Sequence, residues 1–162
     1  MAGPLNADTF RVERSTVINA PADAIFPHID DFRAWAAWSP FETMDADLQK
    51  TYSGAARGVG AHYAWVGKKA GSGSMQILTA DAPSRVVIDL KFTKPMKANN
   101  TAEFTVEPDG TGSTVTWAMT GPTTFVTRLM HAVFPMDKMV GPMFEDGLKA
   151  LKGLTEKAAV SA

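Results

Sequence analysis

Seven short runs between Phe10 and Thr120 carry apolar residues mostly at every second position; beyond them the repeat lengthens to that of a helix. Phe10, Val12, Arg14, Thr16 and Ile18 share one face of a strand over Phe10–Ile18. Leu48–Ser53 is a second, short strand. Ala61–Val66 sets Tyr63 and Trp65 on one face, and Ser74–Ala80 does the same with Met75 and Ile77. Arg85–Thr93 sets Val86, Ile88, Leu90 and Phe92 against Asp89 and Lys91. Asn100–Glu107 sets Ala102, Phe104 and Val106 against Glu103, Thr105 and Glu107. Ser113–Thr120 brings Val115, Trp117 and Met119 into phase. Residues 67–73, 81–84 and 108–112 have the Gly, Pro, Asp and Ser content of turns.

The period differs between the first two strands. Ala24, Ile25, Ile29 and Phe32 recur at helical spacing, Asn19 or Asp23 can cap, and Pro21 suits a first turn. Pro27 falls early in that helix or breaks it, so two short helical pieces are expected, about Ala22–Ile29 and Asp31–Ala37, with Pro40 as a stop. After the last strand a short helix is expected over Phe125–Phe134. Met139, Val140, Met143, Phe144, Gly147, Leu148, Leu151 and Leu154 then form one helical stripe. Pro142 either starts this helix or kinks a longer one, and Glu145 and Lys149 form an i,i+4 pair on its wet side.

The fold class is therefore α+β, ordered strand, two short helices, six strands, long helix. The chain reads as a single domain over 1–162, with 1–8 a frayed, flexible terminus. A run of antiparallel strands with one apolar face must cover that face, and the C-terminal helix is the large amphipathic cover available. A twisted sheet of about seven strands curls strongly, and curling around a helix leaves a gap that side chains need not fill.

Composition narrows the chemistry. There is no Cys, which excludes disulfides, thiolate metal sites and Cys nucleophiles and suits a cytoplasmic setting. The net charge is −1 with no basic run, so nucleic acid is not an expected partner. No apolar run approaches the ~20 residues of a membrane span, so no stable membrane insertion is expected, and the first ten residues do not read as a signal peptide. No metal-ligand spacing and no cofactor motif is present, and no catalytic set can be assigned. Nine Met, four Trp and nine Phe stand against two Tyr. Large rings and flexible thioethers bury much area but rarely tile without gaps.

The order and motifs resemble the START-like, helix-grip superfamily (SRPBCC), in its bacterial polyketide cyclase/dehydrase branch. The matching pieces are Ile18-Asn19-Ala20-Pro21 with Ile25-Phe26, Trp38-Ser39-Pro40-Phe41, and Gly58-Val59-Gly60-Ala61 with Trp65. Further along come residues 71–77, Thr114-Val115-Thr116-Trp117 and residues 144–152. The resemblance covers about Phe10 to Ala158. It implies a cavity between sheet and long helix, and places His28 and His131 in helices near its mouth. It implies no particular reaction.

On this reading the ligand cavity is lined by Trp38, Phe41, Tyr63, Trp65, Met75, Ile77, Phe92, Phe104, Trp117, Met119, Met143 and Phe144. Arg14 lies on the apolar face of its strand, and a cation there needs a salt bridge, a snorkelled head in water, or a ligand carboxylate or enolate. Arg14 and His28 are the candidate polar contacts, and His62 is expected to be exposed, opposite Tyr63 and Trp65. Two functions fit. One is a binding module for a small hydrophobic or amphipathic molecule such as a lipid, an isoprenoid or a polyketide-like compound. The other is a cyclase/dehydratase whose cavity folds a reactive chain, with Tyr63, Arg14 or His28 assisting. A partner-interaction domain with a collapsed interior is a third. The oligomeric state is open.

Overall fold

The computed structural model describes residues 9–42, 47–68, 71–94, 97–122 and 136–161. The expected terminus 1–8 and the expected helix over Phe125–Phe134, with His131, lie outside them. Seven strands form one antiparallel sheet: β1 (Thr9–Ile18), β2 (Gln49–Gly54), β3 (Ala61–Val66), β4 (Ser72–Asp81), β5 (Arg85–Lys94), β6 (Ala98–Asp109) and β7 (Gly112–Pro122). Their spatial order is β1-β7-β6-β5-β4-β3-β2. Every connection from β2 to β7 joins neighbours, and β1 is carried to the far side of β7. The C-terminal helix, Met136–Ser161, lies across the inner face and packs chiefly on β1.

The register shows how the alternation becomes a wall. Residues directly opposite on paired strands share a face. Val12, Met119 and Ala102 form one row across β1, β7 and β6, continued by Ile88 and Ile77. Asn100, Leu90, Met75, Tyr63 and Tyr52 form a second row nearer the end at which β5 connects to β6. At Leu78 the pairing slips by one residue, since Ile77 faces Ile88 while Thr79 faces Val87. Leu78 consequently turns outward at 51 % exposure, and Ala80 takes the inward position after it.

Local chemistry shortens the helical pieces. The first is α-helical only over Ala22–Ile25 and tightens to 3₁₀ over Phe26–His28, where Pro27 cannot donate a backbone N–H. The second, Phe32–Ala37, is 3₁₀ throughout; the Asp31 carboxylate caps it by accepting the Arg33 N–H. The C-terminal helix runs through Pro142, so it is the longer of the two helices expected there. Its stripe holds for Phe144, Leu148 and Leu151, which are buried, but Met139 is half exposed. Glu145 does not serve as the expected partner of Lys149: its carboxylate accepts from Arg14 Nε at 2.9 Å. Among the described residues an i,i+4 ion pair forms instead between Lys152 and Glu156. Lys152 Nζ also donates to the Val17 carbonyl, and Glu156 accepts the Asn19 N–H, tying the helix to the end of β1.

One close approach sets a limit on the sheet. A Cβ at Gly73 would collide with the Lys91 carbonyl and stand 2.6 Å from Trp65 Cη2. The six-membered ring of Trp65 thus packs directly against a bare backbone. Gly73→Ala is expected to cost about 1–3 kcal/mol through overpacking, read as a lower urea midpoint. A loss within ~0.5 kcal/mol would show that Trp65 can swing away freely.

Candidate functional site

The inner face is packed at one end and hollow at the other. Ile18, Ile25, Ile29, Val106, Val115, Leu148 and Leu151 are fully buried around the β6–β7 hairpin end. Towards the other end the curved sheet diverges from the helix and leaves a cavity of about 190 Å³, partly open to solvent. Its sheet wall comes from Tyr63, Trp65, Met75, Leu90, Phe92, Asn100, Ala102, Trp117 and Met119. The helix contributes Val140 and Phe144, and the connection before β2 contributes Trp35, Ser39, Phe41, Glu42 and Leu48.

An aromatic stack divides the two ends. The Trp117 indole lies between Phe104, 4.9 Å away by ring centroids, and Phe144, at 4.1 Å and nearly parallel. Trp35, Trp38 and Phe41 meet it edge-on at 5.5–6.0 Å. A Cβ at Gly147 would stand 2.8 Å from Trp117 Cζ3, so the helix rides directly on the indole. Two of these rings are pinned by backbone: Trp35 Nε1 donates to the Ile29 carbonyl, and Trp38 Nε1 to that of His28. Rings locked in this way cannot rotate to fill the space beside them.

The polar part of the wall is small. The Tyr63 hydroxyl donates to Glu42 Oε2 at 2.6 Å. The Glu42 side chain is only 7 % exposed, with Lys50 Nζ at 3.6 Å from Oε1. Burial, and then the hydrogen bond to Glu42, push the Tyr63 phenol far above its usual range, so it stays protonated. Asn100 Nδ2 donates weakly to Met119 Sδ at 3.7 Å. Glu42 Oε1 and Ser39 Oγ are buried without a hydrogen bond among the described residues. No group of three or more His, Asp or Glu that could hold a metal ion is found among those residues.

Of the residues expected to line the cavity, Phe41, Tyr63, Trp65, Met75, Phe92, Trp117, Met119 and Phe144 reach it. Trp38, Ile77, Phe104 and Met143 do not. Trp38 and Phe104 are consumed in the stack behind Trp117, Ile77 is sealed opposite Ile88, and Met143 sits half-buried at the flank of the helix. Arg14 is also off the cavity. It faces inward, but β1 runs under the helix, and its guanidinium occupies the space a Cβ would take at Gly141 before reaching Glu145. His28 lies on the 3₁₀ turn and does not line the cavity either. His62 is half-buried and shares a hydrogen bond of 3.2 Å with the Ser53 hydroxyl. Leu90, Asn100, Ala102 and Val140 were detectable in phase with Phe92, Phe104 and Phe144. Ser39 and Glu42 lie where no period marks a face; Trp35 falls in the second expected helical piece, and Leu48, expected to open the second strand, lies just before it.

His28 is held below its ordinary pKa by desolvation. Well above pH 6.5 both folded and unfolded imidazoles are neutral. As pH falls below that value the unfolded chain takes the proton first, so stability is lost towards the lower folded pKa. The melting temperature is expected to drop between pH 7 and 5, and His28→Gln should flatten that slope. An unchanged slope in the variant would place the pH dependence elsewhere.

Solved structures share this architecture. A protein from Thermobifida fusca superposes with a TM-score of 0.64 at 23 % identity, covering 91 % of this chain and 93 % of its own. A Chromobacterium violaceum protein gives 0.61 at 18 % identity, covering 92 % and 97 %. Aha1 from Colwellia psychrerythraea, solved as a dimer, gives 0.59 at 12 % identity, covering 88 % and 96 %. At such identities the likeness is one of fold: a seven-stranded curved sheet gripping a C-terminal helix. None of the curated proteins matches the sequence. Residues 9–156 match the family model described as polyketide cyclase / dehydrase and lipid transport.

Proposed function

Since the chain belongs to the polyketide cyclase / dehydrase and lipid transport family, we propose that it binds a small hydrophobic or amphipathic molecule between the sheet and the helix. The observation that carries this reading is the cavity of about 190 Å³ walled by rings, thioethers and aliphatic side chains. A dry apolar cavity of ~150 Å³ takes up benzene, so this one suits a one- or two-ring compound or a short isoprenoid. Burial of the ligand's apolar area at about 25 cal/mol per Å² supplies the affinity. The same open volume weighs against a partner-interaction domain with a collapsed interior. No helix among the described residues is long and apolar enough to cross a membrane; the Cys-free composition is the ground for assigning the cytoplasm.

The test is a panel of aromatic and isoprenoid compounds followed by native mass spectrometry and thermal shift. A one-to-one complex with a raised melting temperature is expected. Failure of every compound to bind or stabilise the protein at saturating concentration would remove the reading.

The Tyr63–Glu42 pair favours one alternative, a cyclase/dehydratase in which the Glu42 carboxylate assists enolisation of a folded chain. Of the three side chains considered for such chemistry, Tyr63 alone faces the cavity, with Arg14 committed to Glu145 and His28 off the wall. Conversion of a poly-β-keto substrate to an aromatic product, lost in Glu42→Gln while binding persists, would establish the enzyme.

A further inference from the structure

We infer that the ligand carries a hydroxyl group on its apolar body, that Glu42 accepts the hydrogen bond from it, and that the same carboxylate turns away ligands ending in a carboxylate. This rests on the ligand-binding reading above. Four residues of the cavity wall carry side-chain oxygens: Ser39, Glu42, Tyr63 and Asn100. The Tyr63 hydrogen is spent on Glu42 Oε2. Glu42 Oε1, on a side chain only 7 % exposed, accepts no hydrogen bond among the described residues. Ser39, 3 % exposed, leaves its Oγ in the same condition.

A buried acceptor without a donor destabilises a fold, and a partner brought by a ligand removes that penalty. Glu42 can only accept. Lys50 Nζ, 3.6 Å from Oε1, is beyond hydrogen-bonding distance and is not on the cavity wall. The missing partner is therefore a donor. Ser39 and Asn100 can donate as well as accept, so the wall offers an acceptor and donors together. A hydroxyl answers both, donating to Glu42 and accepting from Ser39 or Asn100. An ammonium head has no lone pair for those donors. A carboxylate head sets a second negative charge beside Glu42 in an apolar enclosure where little water screens it, and the single Lys50 ammonium 3.6 Å from Oε1 balances one carboxylate, not two.

The probes are naphthalene, 2-naphthol and 2-naphthoate, matched in ring system and compared at pH 7 by quenching of Trp fluorescence. 2-Naphthol is expected to bind at least about tenfold more tightly than naphthalene, and 2-naphthoate at least about tenfold more weakly. In Glu42→Gln the naphthol advantage should shrink, and naphthoate should rise to the level of naphthalene. Wild-type protein that binds naphthalene but prefers naphthoate to naphthol, or ranks all three alike, would overturn this inference and leave the cavity reading standing. A correct ranking that survives Glu42→Gln unchanged would overturn the role of Glu42. Binding of none of the three would overturn this inference, while the cavity reading stands or falls on the wider panel of aromatic and isoprenoid compounds. The wild-type ranking decides the matter even where the variant fails to fold.

Discussion

Trp117→Ala is expected to lower unfolding stability by about 3–5 kcal/mol, the range for deleting a large buried ring. The indole is 3 % exposed and is the shared partner of Phe104, Phe144, Trp35, Trp38 and Phe41. Its loss removes buried apolar area and also two stacked contacts, each worth about 0.5–1.5 kcal/mol beyond that area. The void it leaves opens onto the existing cavity, and Trp35 and Trp38, held by backbone carbonyls, cannot collapse into it. Trp117→Phe keeps a ring in the stack and should lose less than half as much. Urea unfolding measures both variants. A loss below about 1 kcal/mol for the Ala variant would mean that the stack does not hold the helix to the sheet.

Ala102→Phe is expected to separate ligand binding from folding. Ala102 lies in the middle of β6 with its side chain on the cavity wall, between Met119 and Ile88 across the strands. A phenyl group there enters volume that is otherwise the ligand's. A ligand displaced from that much apolar surface loses about 1.5–3 kcal/mol, or roughly ten- to a hundredfold in affinity. The melting temperature should hold or rise, because the new ring fills space at the cost of little overlap. Titration of any compound found to bind, beside a thermal scan, checks both halves. Unaltered affinity would move the ligand away from this cavity, and a collapsed melting temperature would mean the space is smaller than its lining indicates.

The alternation in β5, β6 and β7 was legible because it is a local property. Val86, Ile88, Phe104, Val106, Val115 and Trp117 are each buried as the two-residue period requires. The same reasoning placed Tyr63, Met75 and Phe92 on the correct face but could not say how deep in the sheet each lies. Depth depends on register, and register is set by pairing and by slips such as the one at Leu78. For that reason Phe104 and Ile77 share a face with the cavity wall and yet lie beside it, sealed in packing. Arg14 shows the complementary limit. Its inward face was evident, but its partner, Glu145, lies 131 residues away, on a helix brought near by the absence of a side chain at Gly141.

By itself the sequence determined the element order, the inward face of each strand and the apolar stripe of the last helix, because those follow from spacing along the chain. Tertiary structure alone decided where the interior is solid and where it is hollow, since that depends on the angle at which the curved sheet leaves the helix. It also brought Ser39 and Glu42, from an irregular segment with no periodic signal, to the wall that Tyr63 and Asn100 share. Local pattern encodes which side of an element avoids water; the meeting of polar groups from distant segments is a property of the packed whole.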